Sequence, residues 1–361
     1  MDLDDLLDAG QKLFDACFGG DLNLVSRLLE SGAPVWFQEP DSEWTCLHLA
    51  AERNHLDLIK KLLAEGAVWN AVDACGFTAA DIALSLNYND AFRMIRDAGV
   101  RSEFVLRVLE KKDIEPTSLV LKSGDSSILD SNESFLKTRL RYVTDERGQE
   151  ICLAQTEEGK EVGVMMGWEK PIMEATISHV LKELSDHTNL RVINIGFGLG
   201  IIDSIIQRDM KPASHIIIEP HPDVLAHMRA TGWYDKPGVT ILEGRWQDHI
   251  ESDVVMSESF DFVYTDTFSE QYNDLVEFFE HIPNLLRDET SVFSFFNGLG
   301  ATNATFASVY TDLAELHLNE VGLRTSWQDV VVLNEREKVW GESIVYYDLP
   351  YYKLPISRMA F

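Results

Sequence analysis

Three glycines and one glutamate are the first residues in this chain whose types and spacing could do chemistry. Residues 191–202 read RVINIGFGLGII, an apolar run (Val192 to Ile195) followed by Gly196, Gly198 and Gly200 and then a further apolar segment. Glycines at such positions permit a tight turn and let the backbone approach a ligand, and a helix opening just after them presents unpaired N–H groups. A second apolar run, His215 to Ile218, ends in Glu219, 19 residues beyond Gly200. A carboxylate there is placed to accept hydrogen bonds from both hydroxyls of a ribose, so the pair reads as a nucleoside grip.

The spacing is G-x-G-x-G, whereas the dinucleotide fingerprint is G-x-G-x-x-G and cradles a pyrophosphate. A nucleoside with an amino-acid tail suits this loop better than NAD, which points to S-adenosyl-L-methionine. The expected cofactor-binding set is Gly196, Phe197, Gly198, Leu199, Gly200 and Ile201 with Glu219, Pro220 and His221. A third strand from Val239 leads into Gly244-Arg-Trp246-Gln247-Asp248, where Trp246 offers a stacking or packing surface to an adenine and Gln247 a polar edge. A fourth, Phe260 to Tyr264, delivers Thr265-Asp266-Thr267 to the same edge. Ligands in open parallel sheets bind at the carboxyl ends of the strands, so these groups should converge. The elements that must position them are those of an α/β, Rossmann-like sheet.

The N-terminal third has a different pattern. Thr45-Cys-Leu-His48-Leu-Ala-Ala51 recurs 33 residues later as Thr78-Ala-Ala-Asp81-Ile-Ala83, with Gly32, Gly66 and Gly99 each closing an apolar helical stretch. Period and box resemble ankyrin repeats. Each helix pair cannot bury its apolar face alone, so units are expected at about 10–38, 43–70 and 76–99 in an all-α stack. The stack is read as a partner-binding platform, with a stabilising cap for the next domain as the alternative. Residues 101–130, with a short helix from Phe104 to Lys111 and then PTS and SGDSS, read as a connector. The domains are therefore 1–100, 101–130 and 131–361.

Bulk properties narrow the partners. The net charge is −29, from 60 acidic and 31 basic residues, which disfavours nucleic acid because phosphate contacts need clustered Lys and Arg. A basic protein or cationic ligand fits better. Residues 248–280 hold ten Asp or Glu and no Lys or Arg, a segment suited to steering a basic substrate protein. Cys17, Cys46, Cys75 and Cys152 lie far apart with no CxxC pair, so neither a metal site nor a disulfide framework is expected. That usage fits a cytoplasmic or nuclear protein. The start, MDLDDLLDAGQKLF, has no signal-peptide pattern, and no apolar stretch is long enough for a membrane span.

With those residues in hand, the C-terminal region resembles a guanidinoacetate methyltransferase. Its most specific stretches are Met165-Met-Gly-Trp168-Glu169-Lys-Pro171-Ile-Met173, Gly196-Phe-Gly198, Gly244-Arg-Trp246-Gln247-Asp248, Tyr264-Thr-Asp266-Thr267 and Tyr346-Tyr-Asp-Leu-Pro350. Ankyrin-like repeats in tandem with such a domain resemble the fungal protein arginine N5-methyltransferases, also called type IV. The resemblance implies a class I S-adenosylmethionine-dependent fold and methyl transfer to the internal (δ) guanidine nitrogen of a protein arginine, a ribosomal protein being one candidate acceptor. It implies guanidine-binding carboxylates at Glu169 and Asp266, and cofactor contacts from Met165, Met173, Trp246, Gln247 and Asp266. Tyr142 would cover the cofactor.

Two departures stand out. Asn194 occupies the position, two before the first glycine, where an acidic residue is usual, and Arg245 replaces an apolar residue. The double-glutamate motif of the common protein arginine methyltransferases is not apparent. Glu169 and Asp266 could grip a guanidinium through paired, charge-assisted hydrogen bonds, with Asp266 taking up the proton. A metabolite guanidino-methyltransferase and an inactive ankyrin scaffold are the competing readings, and an NAD-dependent oxidoreductase is disfavoured by the glycine spacing.

Overall fold

Thr45 and Thr78 do in space what their recurrence in sequence suggests. A computed structural model of the chain describes residues 3–110, 132–146, 148–155, 161–268, 272–332 and 347–360. Its N-terminal helices are α1 (Leu3–Gly19), α2 (Leu22–Glu30), α3 (Cys46–Glu52), α4 (Leu56–Ala64), α5 (Ala79–Ser85) and α6 (Asn89–Glu110). Thr45 caps α3, its hydroxyl accepting from the His48 N–H, while His48 Nδ1 accepts from the Thr45 N–H at 3.1 Å. That fixes the proton on Nε2, which donates to Phe77 O at 3.1 Å in the next repeat. Burial lowers the His48 pKa and keeps the ring neutral, as this bonding needs. Thr78 and Asp81 form the equivalent box on α5.

Gly99 behaves differently from Gly32 and Gly66. It was expected to close a helix, but α6 runs through it without a break. Its role is spatial: a Cβ there would stand 2.8 Å from the Trp69 ring. The short helix expected from Phe104 belongs to α6. The rest of the expected connector lies outside the described residues.

Clustering of the backbone yields two units, Met1–Ser123 with Leu299–Leu313, and Gly124–Gly298 with Ala314–Phe361. Within the first, Asp81 does more than cap α5. Its carboxylate also accepts from Thr305 Oγ1 and Asn303 Nδ2, both at 2.7 Å, and from the Thr305 N–H at 3.2 Å. Arg96 pairs with Asp312 at 3.0 Å, and Trp69 meets Phe306 edge-on.

The second unit begins with α7 (Asn132–Lys137) and three antiparallel strands, β1 (Leu140–Thr144), β2 (Glu150–Gln155) and β3 (Glu161–Met166). A 3₁₀ turn, Gly167–Glu169, leads into α8 (Lys170–Glu183). There follow β4 (Arg191–Ile195), α9 (Ile201–Ile205), β5 (Ser214–Glu219), α10 (Pro222–Ala230), β6 (Val239–Glu243), α11 (Trp246–His249) and α12 (Asp253–Met256). The last elements are β7 (Phe262–Thr265), α13 (Tyr272–Leu285), β8 (Val292–Phe295), α14 (Ala304–Glu320, which starts within the segment grouped with the repeats), β9 (Leu323–Val331) and β10 (Tyr351–Met359).

The large sheet is ordered β6-β5-β4-β7-β8-β10-β9. Its first five strands are parallel, and β10 is antiparallel to both neighbours. This is the expected Rossmann-like α/β arrangement. Parallel strands covered on both faces read as unbroken apolar runs, and β7 and β8 are buried along their whole length. The strand order reverses at β4, which opens a crevice at the carboxyl ends of β4 and β7. Phe278, Phe279 and Ile282 of α13 pack the core against Phe293 and Phe295.

Because one carboxylate serves both α5 and the 303–305 segment, Asp81→Ala should cost about 3 kcal/mol of folding stability, against about 1 kcal/mol for the single cap lost in Thr45→Ala. Urea unfolding of the two variants compares them directly; equal losses would refute the shared role of Asp81.

Candidate functional site

The glycine loop is built on a buried polar network. Asn194, the fourth residue of β4, is fully buried. Its amide donates to Gly196 O at 2.7 Å and to both Asp203 oxygens at 3.0 and 2.9 Å. Asp203 sits on α9 and is equally buried. The carboxylate missing at position 194 is thus supplied from nine residues further along the chain, with the asparagine as its donor. His215 Nε2 stands 3.1 Å from Asp203 Oδ1 but off the N–H line, so that contact is electrostatic rather than an aligned hydrogen bond. Neither Asp203 nor His215 carries a motif signal; a lone acidic residue in the apolar stretch IIDSII is the only hint.

Glu219 closes the loop from the next strand. One oxygen accepts from the Phe197 N–H at 2.8 Å and the other from the His221 N–H at 2.7 Å. Gly196 has φ of +89°, and a Cβ on it would collide with Asp266 O, so the loop lies against the end of β7. Gly198, at φ +59°, has the Met165 sulfur where a Cβ would go. Tyr142, on β1, donates to Gly198 O at 3.4 Å and stacks on His227 at 3.9 Å. Met165, Tyr142, the loop, Glu219 and Asp266 are therefore neighbours, and side chains at 196 and 198 would strike protein atoms already seated there. The bare turn and the Glu219 carboxylate are the kinds of group that would hold a nucleoside with an amino-acid tail.

Other expected contacts fall differently. Trp246 is 3% exposed and packs edge-on against Phe278 and His281, so its ring belongs to the core and presents no open stacking face. The physical reason is its place at the start of α11, which turns inward over β5 while Gln247 stays exposed. The Phe197 ring packs on Trp233 at 5.0 Å, leaving its backbone to the site. The His221 ring caps α10 and reaches Phe135 O at 3.2 Å, so only its backbone faces Glu219. Pro220, Leu199 and Ile201 are half-buried beside the loop, and Met173 is buried on α8. Arg245 is exposed, and its charge reaches Glu133.

The two carboxylates assigned to guanidine binding share one neighbourhood. Glu169 is buried at the end of the 3₁₀ turn and makes no side-chain cap to α8. Its neighbour Trp168 meets Tyr347 at 5.5 Å, and Tyr347 meets Tyr352 at 6.1 Å. Burial first, and then the charges of Asp266 and Glu169, hold the hydroxyls of both Tyr264 and Tyr352 well above the usual tyrosine range. Tyr264, marked in the sequence only as the residue that opens Tyr264-Thr-Asp266-Thr267, and Tyr352, which carries no motif signal, thus both feel the charges of Glu169 and Asp266.

Burial also raises the carboxyls themselves. Asp266 is pushed up to about 7, first by desolvation and then by the charge of Asp203. Glu219 is also raised to about 7 by burial, against the opposing pull of the N–H groups of Phe197, His221 and Gly198.

Comparison with known proteins fits this arrangement. A family model described as guanidinoacetate N-methyltransferase matches residues 154–348, and one for ankyrin repeats matches 13–103 in three copies. The chain is 40% identical to the protein named protein arginine N-methyltransferase 2 of Cryptococcus neoformans, over 98% of this chain and 96% of that one. It is 35% identical to the protein of that name from Saccharomyces cerevisiae, over 85% and 78%, and 34% identical to that from Aspergillus fumigatus, over 84% and 77%.

Raised carboxyls have a signed consequence. Asp266 and Glu219 keep protons in the folded chain at pH values where unfolded carboxyls, near 3.8 and 4.5, have lost them. Their contribution to stability is therefore full below about pH 4 and is lost as pH rises through about 7. Urea unfolding at a series of pH values should show Asp266→Asn losing less stability than wild type across that window. Parallel curves for the two proteins would refute the shift at Asp266.

Proposed function

Since this chain belongs to the family of the proteins named protein arginine N-methyltransferase 2, we propose that it transfers a methyl group from S-adenosyl-L-methionine to the internal (δ) guanidine nitrogen of arginine in a basic protein. What supports this reading is that two buried tyrosines, Tyr264 and Tyr352, both feel the charges of Glu169 and Asp266, while the Asp266 carbonyl lies against the glycine loop.

Gly196 to Ile201, Glu219 and the backbone of His221 would hold the nucleoside, with Met165 and Tyr142 over the loop. S-adenosylmethionine, when bound, supplies an electrophilic methyl group. The protein's own task is alignment, because displacement at a methyl carbon needs the nucleophile in line. Glu169 and Asp266 orient the guanidinium through paired hydrogen bonds, which a planar fork of N–H groups matches. A nitrogen that gains a methyl group must give up a proton, and Asp266, titrating near 7, is suited to receive it.

The acceptor class follows from charge. The acidic stretch 248–280 favours a basic protein, and the repeats offer a surface for that substrate or for a further protein partner. A ribosomal protein has the required chemistry. The family model's own description keeps guanidinoacetate as a second reading. Cytoplasm and nucleus both suit the composition. Among the described residues no helix is long and apolar enough to cross a membrane.

Two measurements test the proposal. Incubation with S-adenosylmethionine and a basic protein extract should yield arginine whose fragmentation places the methyl on the internal nitrogen, and guanidinoacetate should stay unmodified. Glu169→Gln and Asp266→Asn should each lower turnover by at least a hundredfold, within the range of lost acid–base and orienting groups, while S-adenosylhomocysteine still binds. Normal turnover in both variants would remove these residues from the site. Methylation rates should also fall as salt is added, and rates indifferent to ionic strength would exclude steering by the acidic stretch.

A further inference from the structure

Tyr264 has no evident employment in the site described so far. It lies on β7 and is 1% exposed. Its hydroxyl oxygen is enclosed and meets no hydrogen-bond partner among the described residues. A hydroxyl left in that state costs about 1–3 kcal/mol, and phenylalanine would fill the same space without the cost. The hydroxyl is therefore expected to be completed by something that arrives.

Its surroundings indicate what that is. Side chains two apart on a strand share a face, so Tyr264 points to the same side of β7 as Phe262, whose ring is 6.1 Å away, and Asp266 follows directly after the end of that strand. Tyr352 cannot serve as its partner, since that hydroxyl accepts from the Asn297 N–H at 2.8 Å and donates to Phe295 O at 3.2 Å. The neighbouring charges, Asp266, Glu169 and Asp203, are all carboxylates. A cation with several N–H groups is what this setting lacks.

We propose that the Tyr264 hydroxyl is a binding group for the acceptor guanidinium, accepting one of its N–H groups while Glu169 and Asp266 take others. The inference rests on the function proposed above. An arginine side chain presents five N–H donors in a fixed plane, and two bidentate carboxylates satisfy four of them. A fifth donor needs an acceptor that adds no charge, and a phenol kept protonated by its surroundings provides one. A lysine ammonium carries three donors in a different geometry, so the hydroxyl also selects guanidine over amine.

The test is Tyr264→Phe in the full chain, read by three measurements. Urea unfolding should show stability unchanged or increased, and calorimetry should show S-adenosylhomocysteine affinity unchanged. Affinity for a short peptide with one arginine among lysines should fall about tenfold, with KM rising to match, as the loss of one hydrogen bond to a charged group predicts. An all-lysine control peptide should bind both proteins equally. Peptide affinity and KM within twofold of wild type would overturn the proposal, and so would a joint loss of stability and of both ligands, which marks a structural hydroxyl. If the wild type neither binds nor methylates the arginine peptide, the proposed function fails and takes this inference with it. If the wild type does both and the variant equals it, this inference fails alone.

Discussion

A carboxylate removed from water must be hydrogen-bonded, paired or protonated, and at the carboxyl edge of this sheet Asp203 and Glu219 are buried with Asp266 half-buried near them. Asp203 is held by the Asn194 amide, Glu219 by two loop N–H groups, and Asp266 by little more than its place beside the loop. The charge of Asp203 raises both of the others. A site of this kind favours ligands that bring positive charge, and both a sulfonium and a guanidinium do so.

The same constraint explains why the loop has its composition. The turn must let Glu219 reach its N–H groups while the Asp266 carbonyl and the Met165 sulfur press from other sides, and side chains at 196 and 198 would block both approaches. Asn194 then makes sense as more than a substitute for an acid. A fourth carboxylate at that position would face Asp203 directly, whereas an amide donates to it and to the loop at once.

Much of this was legible in the sequence, and the parts that were not share a cause. Apolar runs located β4 and β5 closely, because parallel strands buried on two faces leave an unmistakable pattern. The 33-residue recurrence located the repeat boxes. What escaped depended on contacts distant in the chain: Asp203 answering Asn194, Gly99 making room for Trp69, Leu299–Leu313 joining the repeat unit, and Trp246 turning into the core. The strands β1 to β3 were hidden for another reason, since short antiparallel pairs with mixed burial give weak periodicity. Tyr264 looked like one more apolar strand residue, and only its unpartnered oxygen distinguishes it.

The placement of β10 between β8 and β9 has a consequence for how the molecule assembles. In the described sheet β9 has no strand to pair with except β10, which follows it in the chain. β10 therefore joins that edge to the rest of the sheet, pairing with β9 on one side and β8 on the other. Tyr352 arrives with it and ties Phe295 and Asn297 to the aromatic wall. Loop closure over such separations is slow compared with local helix formation. The tyrosine wall around Tyr352 therefore depends on β10 being seated between β8 and β9, so the far edge of the sheet and that wall stand or fall together.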